Sequence, residues 1–213
     1  TASNNTAVGY QAGYSNTTAV QNTAVGAIAL KNNTTGQFNT SIGYGAMEEN
    51  TVADYNTALG WATLNKTTTG QYNTALGAQA LRFNTTASSN TAVGYQAGYI
   101  NTTGNIDAFG YKALYANTTG SLNVAIGNGA LYSNTTGSYN TGLGVAALYS
   151  NTTANYSTAI GYQAGYTNTG AANVFIGGNS GYSNTSSIGN VFVGGGIYGV
   201  SNAAGFASTG GYN

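Results

Sequence analysis

Three carboxylates, Glu48, Glu49 and Asp54, lie close together in the sequence. A close carboxylate pair is the minimum equipment for acid–base chemistry, while the more ordinary role of such a group is a solvated rim. The partners that would complete an active site are missing. The chain has no His and no Cys, which removes Ser–His and Cys–His nucleophile pairs, the usual zinc sites and disulfide support. Calcium-binding nonapeptide repeats carry an Asp in every repeat; outside the cluster this chain has a single further acid, Asp107. Gly194-Gly195-Gly196 is not followed by Lys-Ser/Thr and is no phosphate loop. Four basic residues, balanced by four acidic ones, supply no stripe for nucleic acid. The longest nearly apolar stretch, Val191 to Val200, is too short to span a bilayer. The expectation is a non-enzymatic chain with no metal, cofactor or nucleic-acid partner and no membrane insertion. Asn-Thr-Thr triplets, as at Asn16, Asn101, Asn117 and Asn151, match the N-glycosylation acceptor, but their fixed place in a repeat points to turn chemistry.

That repeat is what positions every side chain. A glycine recurs at Gly9, Gly26, Gly43, Gly60, Gly77, Gly94, Gly110, Gly127, Gly144, Gly161, Gly177 and Gly194, at spacings of 17 residues with two of 16. So short a period is the mark of a solenoid, one turn of chain per repeat. The turns start at residues 5, 22, 39, 56, 73, 90, 106, 123, 140, 157, 173 and 190. The predicted fold is all-β, a parallel β-solenoid over 1–198, with 199–213 a divergent end segment serving as cap or joint. Only 4% of residues are charged, yet 18 Tyr and a periodic aliphatic position argue for order. The chain opens on Thr1 rather than Met, and Thr1-Ala2-Ser3 recurs as Thr86-Ala87-Ser88, so a processed product or a segment of something longer is expected.

Counting each turn from its Asn, position 4 is apolar in all twelve: Val8, Val25, Ile42, Leu59, Leu76, Val93, Phe109, Ile126, Leu143, Ile160, Ile176 and Val193. This predicts the core ladder. Position 3, mostly Ala, points the other way, so the strand is nearly free of charge on both faces. One face packs inside the turn and the other calls for a partner chain. A second strand is predicted around positions 8 to 13. Position 10 carries Lys31, Glu48, Asn65 and Arg82, then Tyr99, Tyr115, Tyr132, Tyr149, Tyr166 and Tyr182, predicted as an exposed tyrosine ladder and the candidate contact surface. Self-stacking alone is its simpler role. Positions 12 to 15, Asn-Thr-Thr-Gly, read as a turn whose Asn side chains stack into an amide ladder. The position-5 Gly reads as a close approach of two backbones.

The strand Asn123 to Gly127 (Asn-Val-Ala-Ile-Gly) and its variants resemble the head repeats of YadA-type trimeric autotransporter adhesins. The turn from Asn140, with Ala-Leu-Tyr-Ser-Asn-Thr-Thr, is similar to repeats of bacterial and phage tail-fibre-like proteins. The resemblance implies a left-handed parallel β-roll, three chains side by side, displayed outside the cell or on a virion fibre. The adhesin repeat is the shorter of the two, so this turn carries a longer loop or strand.

Three functions compete. The first is a homotrimeric structural and adhesive fibre segment, with a glycan or cell-surface receptor as partner. The second is a filament subunit stacking end to end through Thr1 to Asn4 and Gly199 to Asn213. The third is an ice- or crystal-surface binder, disfavoured because the two threonines of each turn point different ways.

Overall fold

The computed structural model describes residues 2–195. The end segment 199–213, predicted as cap or joint, lies outside them. Twelve short parallel strands stack in sequence order into one sheet, from β1 (Thr6–Val8) through β2 (Thr23–Val25) and β7 (Ile106–Phe109) to β11 (Val174–Ile176) and β12 (Val191–Val193). Pairing is in register from turn to turn, Thr6 on Thr23 and Val8 on Val25. The 16-residue turns keep it: Val93 still pairs with Phe109 and Ile160 with Ile176. The missing residue is therefore absorbed in the loop before the strand. At about 4.8 Å per rung, the stack runs roughly 53 Å. This is the predicted β-solenoid, of about eleven turns.

The core lies on the other side of the strand from the one predicted. Val8, Leu59, Leu76, Phe109, Ile126, Leu143, Ile160, Ile176 and Val193 are 38–59% exposed, and Val25, Ile42 and Val93 are half-buried. Position 3 is the inner column, with Ala24, Ala58, Ala75, Ala92, Ala108, Ala125, Ala159 and Phe175 all buried. Side-chain size explains the inversion. The interior of a one-strand turn is narrow and is already filled by the Leu or Met of position 9 and the Ala of position 8, as in Leu114 and Ala113. Opposite a Leu or Met only a small side chain fits, and Phe175 is accommodated because it faces Gly165 and Gly181. At Ser41 the one hydroxyl of this column is satisfied by the Ala46 carbonyl at 2.8 Å.

The predicted second strand is absent. Positions 6 to 12 form a chain of tight turns, with left-handed backbone at positions 7 and 9. Leu30, Leu64, Leu81, Leu114, Leu131 and Leu148 sit at φ 49–51°. Their N–H groups bond along the stack, as from Leu114 to the Ala130 carbonyl at 3.0 Å. No strand pattern emerges, because alternating right- and left-handed residues curl the chain. At position 5 the backbone demands glycine. Gly127 has φ +140°, and a Cβ there would stand 2.4 Å from the Gly144 carbonyl oxygen.

Two columns of Asn close the turn. At position 1, Asn39 Oδ1 accepts from the Asn56 N–H at 2.9 Å while its Nδ2 donates to the Ala53 carbonyl at 2.8 Å. At position 12, Asn117 Nδ2 donates to Asn101 Oδ1 at 2.8 Å and to the Gly120 carbonyl at 2.9 Å. Asn134 and Asn151 continue that column, each donating at 2.8 Å to the Asn before it. The predicted amide ladder is thus real and buried. The acceptor-motif residues Asn101, Asn117 and Asn151 are fully buried, so their amides face no solvent in the folded chain.

Candidate functional site

The acidic cluster is spent on structure. Glu49 pairs with Lys66 of the next turn, Glu48 Oε2 accepts from Asn65 Nδ2 at 3.2 Å, and Asp54 Oδ1 accepts from the Gln37 N–H at 2.6 Å. Asn65 at position 10 is buried, with its amide also donating to the Gly45 carbonyl at 2.8 Å. Among the described residues no three of His, Cys, Asp and Glu gather as a metal site would need, and no helix is long and apolar enough to cross a membrane.

The position-10 tyrosines form one unbroken column. Tyr99, Tyr115, Tyr132, Tyr149, Tyr166 and Tyr182 stack with ring centroids 5.0–5.1 Å apart and planes within 4–11°. They are half-buried rather than exposed. Neighbours cover the ring faces, so the column shows a partner its edges and hydroxyls. Burial raises the Tyr115 and Tyr149 phenols above the ordinary value, with the neighbouring phenols adding to the shift. Arg82 caps one end. Its guanidinium lies 5.4 Å from the Phe83 ring and 5.9 Å from the Trp61 ring, and Nη1 donates to the Tyr99 hydroxyl at 3.4 Å.

The sheet's outer face is the larger surface. Its middle is the position-4 aliphatic column, flanked by the position-2 threonines. Beside it runs an aromatic column at position 17. There Phe38, Tyr55 and Tyr72 stack at 4.7 and 5.2 Å, and Tyr139 stacks on Tyr156 at 4.9 Å. On the other side position 6 carries exposed Tyr44, Trp61, Tyr95, Tyr111 and Tyr162. Asp107, exposed on β7, is the one charge at strand positions 2 to 4. Sequence reasoning expects an outward apolar face but puts position 3 on it, and it misses the aromatic column at position 17. The signal was the recurrence of Phe38, Tyr55 and Tyr72 at intervals of 17.

The threonine pair of each turn is half committed. Position-13 hydroxyls donate to the next turn's carbonyl, as Thr118 Oγ1 does to Thr135 at 3.0 Å and Thr135 Oγ1 to Thr152 at 3.0 Å. Of the pair, this leaves the position-14 threonines exposed with uncommitted hydroxyls, as at Thr119 and Thr136. A scan against protein-family models, a search of curated proteins and a search of solved structures each returned no match for this chain.

Proposed function

We propose that this chain is a non-enzymatic segment of an extracellular fibre, a homotrimeric β-solenoid whose outer sheet face packs against two further copies and which mediates surface attachment. One observation carries the reading: the uncovered apolar column at position 4, present in every rung. Twelve rungs of about 10 Å of strand make a face on the order of 550 Å². That already approaches the largest patch a monomer usually exposes, roughly 300–600 Å². With the flanking aromatic columns it nears the ~800 Å² per partner of a standard interface. A second copy of the same chain fits it best, because an in-register face of uniform chemistry is self-complementary along its whole length. The number three, and the extracellular setting, come from the resemblance to YadA-type head repeats.

Native mass spectrometry and sedimentation velocity test the assembly. Wild-type protein is expected as a three-chain species. Ile126→Glu with Leu143→Glu should release single chains with an unchanged circular dichroism spectrum, since both side chains point outward. A wild-type chain that stays single at micromolar concentration sinks the reading.

End-to-end stacking is the second reading, and one observation favours it. Asn5 to Tyr14 is identical to Asn90 to Tyr99, a segment that lies in a turn stacked on both sides. The first turn therefore has the chemistry to receive another turn on its outer edge. Filaments that lengthen with concentration in electron micrographs would support it over the trimer.

A further inference from the structure

The position-6 and position-10 columns run side by side, with position 7 as the floor between them. Only the position-10 column shields itself along its length; at position 6 the stacked pair is Tyr95 and Tyr111. Tyr99 to Tyr182 cover one another's faces, and Tyr95 covers one face of Tyr111 at 5.6 Å. Position 6 is interrupted at several rungs, as by Ala27, Ala78, Val145 and Gly178, and at Tyr111 such an interruption coincides with a gap at position 7. After Tyr111 the position-6 column continues with Asn128, so no ring stacks on that side of Tyr111. On the floor, Lys112 is followed by Gly129, which has no side chain. A cleft of about 210 Å³ results, lined by Tyr111, Lys112, Asn128, Gly129, Tyr132 and Tyr149.

Charge distinguishes this cleft from the rest of the rod. The Lys112 ammonium lies 5.3 Å from the Tyr111 ring centroid and 5.4 Å from that of Tyr115, and no carboxylate pairs with it. The Tyr111 hydroxyl holds its pKa above the ordinary lysine value, so it is charged at neutral pH. It is also the last charged residue in the sequence; none follows from Ala113 to Asn213. Asp107 of the same turn is exposed on β7 but does not line the cleft. A cation with no carboxylate partner beside aromatic rings is complementary to a small anion that also has an apolar side.

We infer that the cleft at Tyr111, Lys112 and Asn128 binds a saccharide unit bearing a carboxylate, with Lys112 on the carboxylate, Tyr111 under the ring's C–H face and the Asn128 amide on a hydroxyl or amide of the sugar. The cleft is smaller than the ~300–1,000 Å³ of pockets that hold drug-sized molecules, so it takes one unit of a chain rather than a folded partner. Tyrosine suits a sugar because it joins a flat apolar face to a polar tip. An acidic peptide satisfies Lys112 equally well but leaves the Tyr111 face and the Asn128 amide unused. The inference rests on the attachment half of the function proposed above and is independent of the number of chains.

Saturation-transfer NMR with N-acetylneuraminic acid, glucuronic acid, glucose and N-acetylglutamate N-methylamide tests it. State of association is read in parallel by sedimentation. The acidic sugars should bind at least about tenfold more tightly than glucose, the effect of one charge-assisted contact. Lys112→Met should abolish that preference, and Tyr111→Ser should weaken both acidic sugars. Both side chains are on the surface, and circular dichroism checks that each variant folds. Equal binding of the glutamate derivative would reduce the site to simple ion pairing and overturn the saccharide assignment. So would acidic-sugar binding unaffected by Lys112→Met, or no binding by any probe. A trimer that ignores every sugar keeps the fibre reading and removes this one.

Discussion

Thr67 interrupts the buried Asn column at position 12. Its hydroxyl donates to the Asn84 carbonyl at 3.1 Å, but it has no second donor to send back down the stack. Asn50 Oδ1, one turn earlier, is left buried without a partner. Thr67→Asn should restore the ladder in a side chain of nearly equal size. Closing one unsatisfied buried acceptor is worth about 1 kcal/mol, read as a rise in the chemical-denaturation midpoint; a fall would mean that the Thr67 bond matters more than the orphan oxygen. Asn151 Oδ1 is orphaned similarly, where the next turn is one residue short and Asn168 donates to Gly170 at 2.8 Å instead. The tyrosine column makes its own residue-scale prediction. Desolvation raises the Tyr115 and Tyr149 phenols above their unfolded value. The folded state then holds those protons more tightly, so its stability is complete below the free phenol pKa and is lost as pH rises through the folded one. The melting temperature should be flat from about pH 7 to pH 9.5 and fall above about pH 10. NMR titration at alkaline pH should show the Tyr115 and Tyr149 phenols ionising late, and free-tyrosine titration of these two would refute the shift.

Within one turn, position 9 weighs two costs. A Leu at φ near 50° gives up roughly 1–2 kcal/mol of backbone preference, while burying it returns roughly 1.5–3 kcal/mol. The balance is slight, so Gly replaces Leu wherever another side chain fills the space. Ile106 reaches Gly98, where an added Cβ would lie 2.8 Å from its Cδ1. Phe175 takes the inner position of β11 between Gly165 and Gly181, whose added Cβ atoms would lie 2.6 and 2.2 Å from its ring. Phe175→Ala alone should cost about 3–5 kcal/mol through the cavity it leaves. Gly165→Leu alone should also destabilise, through overlap with the ring. Together they rebuild the ordinary Ala-and-Leu turn, so the double-mutant cycle should show coupling of about 2 kcal/mol or more. Additive losses would show that the two sites do not share one space. The substitution pattern was visible in the chain. Its meaning was not, because the sequence reads position 4 rather than position 3 as the inner column, and a Phe at position 3 then has no Gly to face.

For the molecule as a whole, each turn touches only its neighbours, so stability is a sum of turns and interfaces. Deleting residues 123–139, one complete turn from Asn123 to Tyr139, should leave the circular dichroism spectrum unchanged and shorten the rod by about 4.8 Å. Register survives because Asn140 takes up the place of Asn123. Removing half that number of residues should disrupt folding, since it would turn the Asn columns and the inner Ala column to the wrong side. Small-angle scattering distinguishes the two outcomes. One exposed ion pair, Glu49 with Lys66, is the sole salt bridge among the described residues, so added salt should hardly move the unfolding transition.

The sequence by itself determined the period, the strand at positions 2 to 4 and its parallel stacking, the glycine at each close approach and the Asn ladder. All of these follow from one short segment repeated in register, where like must stack on like. The second strand that the sequence suggested is not formed. Which side of the strand faces inward was a tertiary decision. Alternation makes positions 3 and 4 opposite without saying which is inside, and both are apolar. The narrow interior, already occupied by the Leu of position 9, admitted Ala and turned the larger aliphatics out. The conformation of that Leu was equally hidden, since a left-handed backbone at a bulky residue runs against local preference and is held only by the turns stacked above and below. The same stacking turned the tyrosines from an exposed row into a half-covered column, and left the ring face of Tyr111 open beside Lys112, where the neighbouring aromatic is missing.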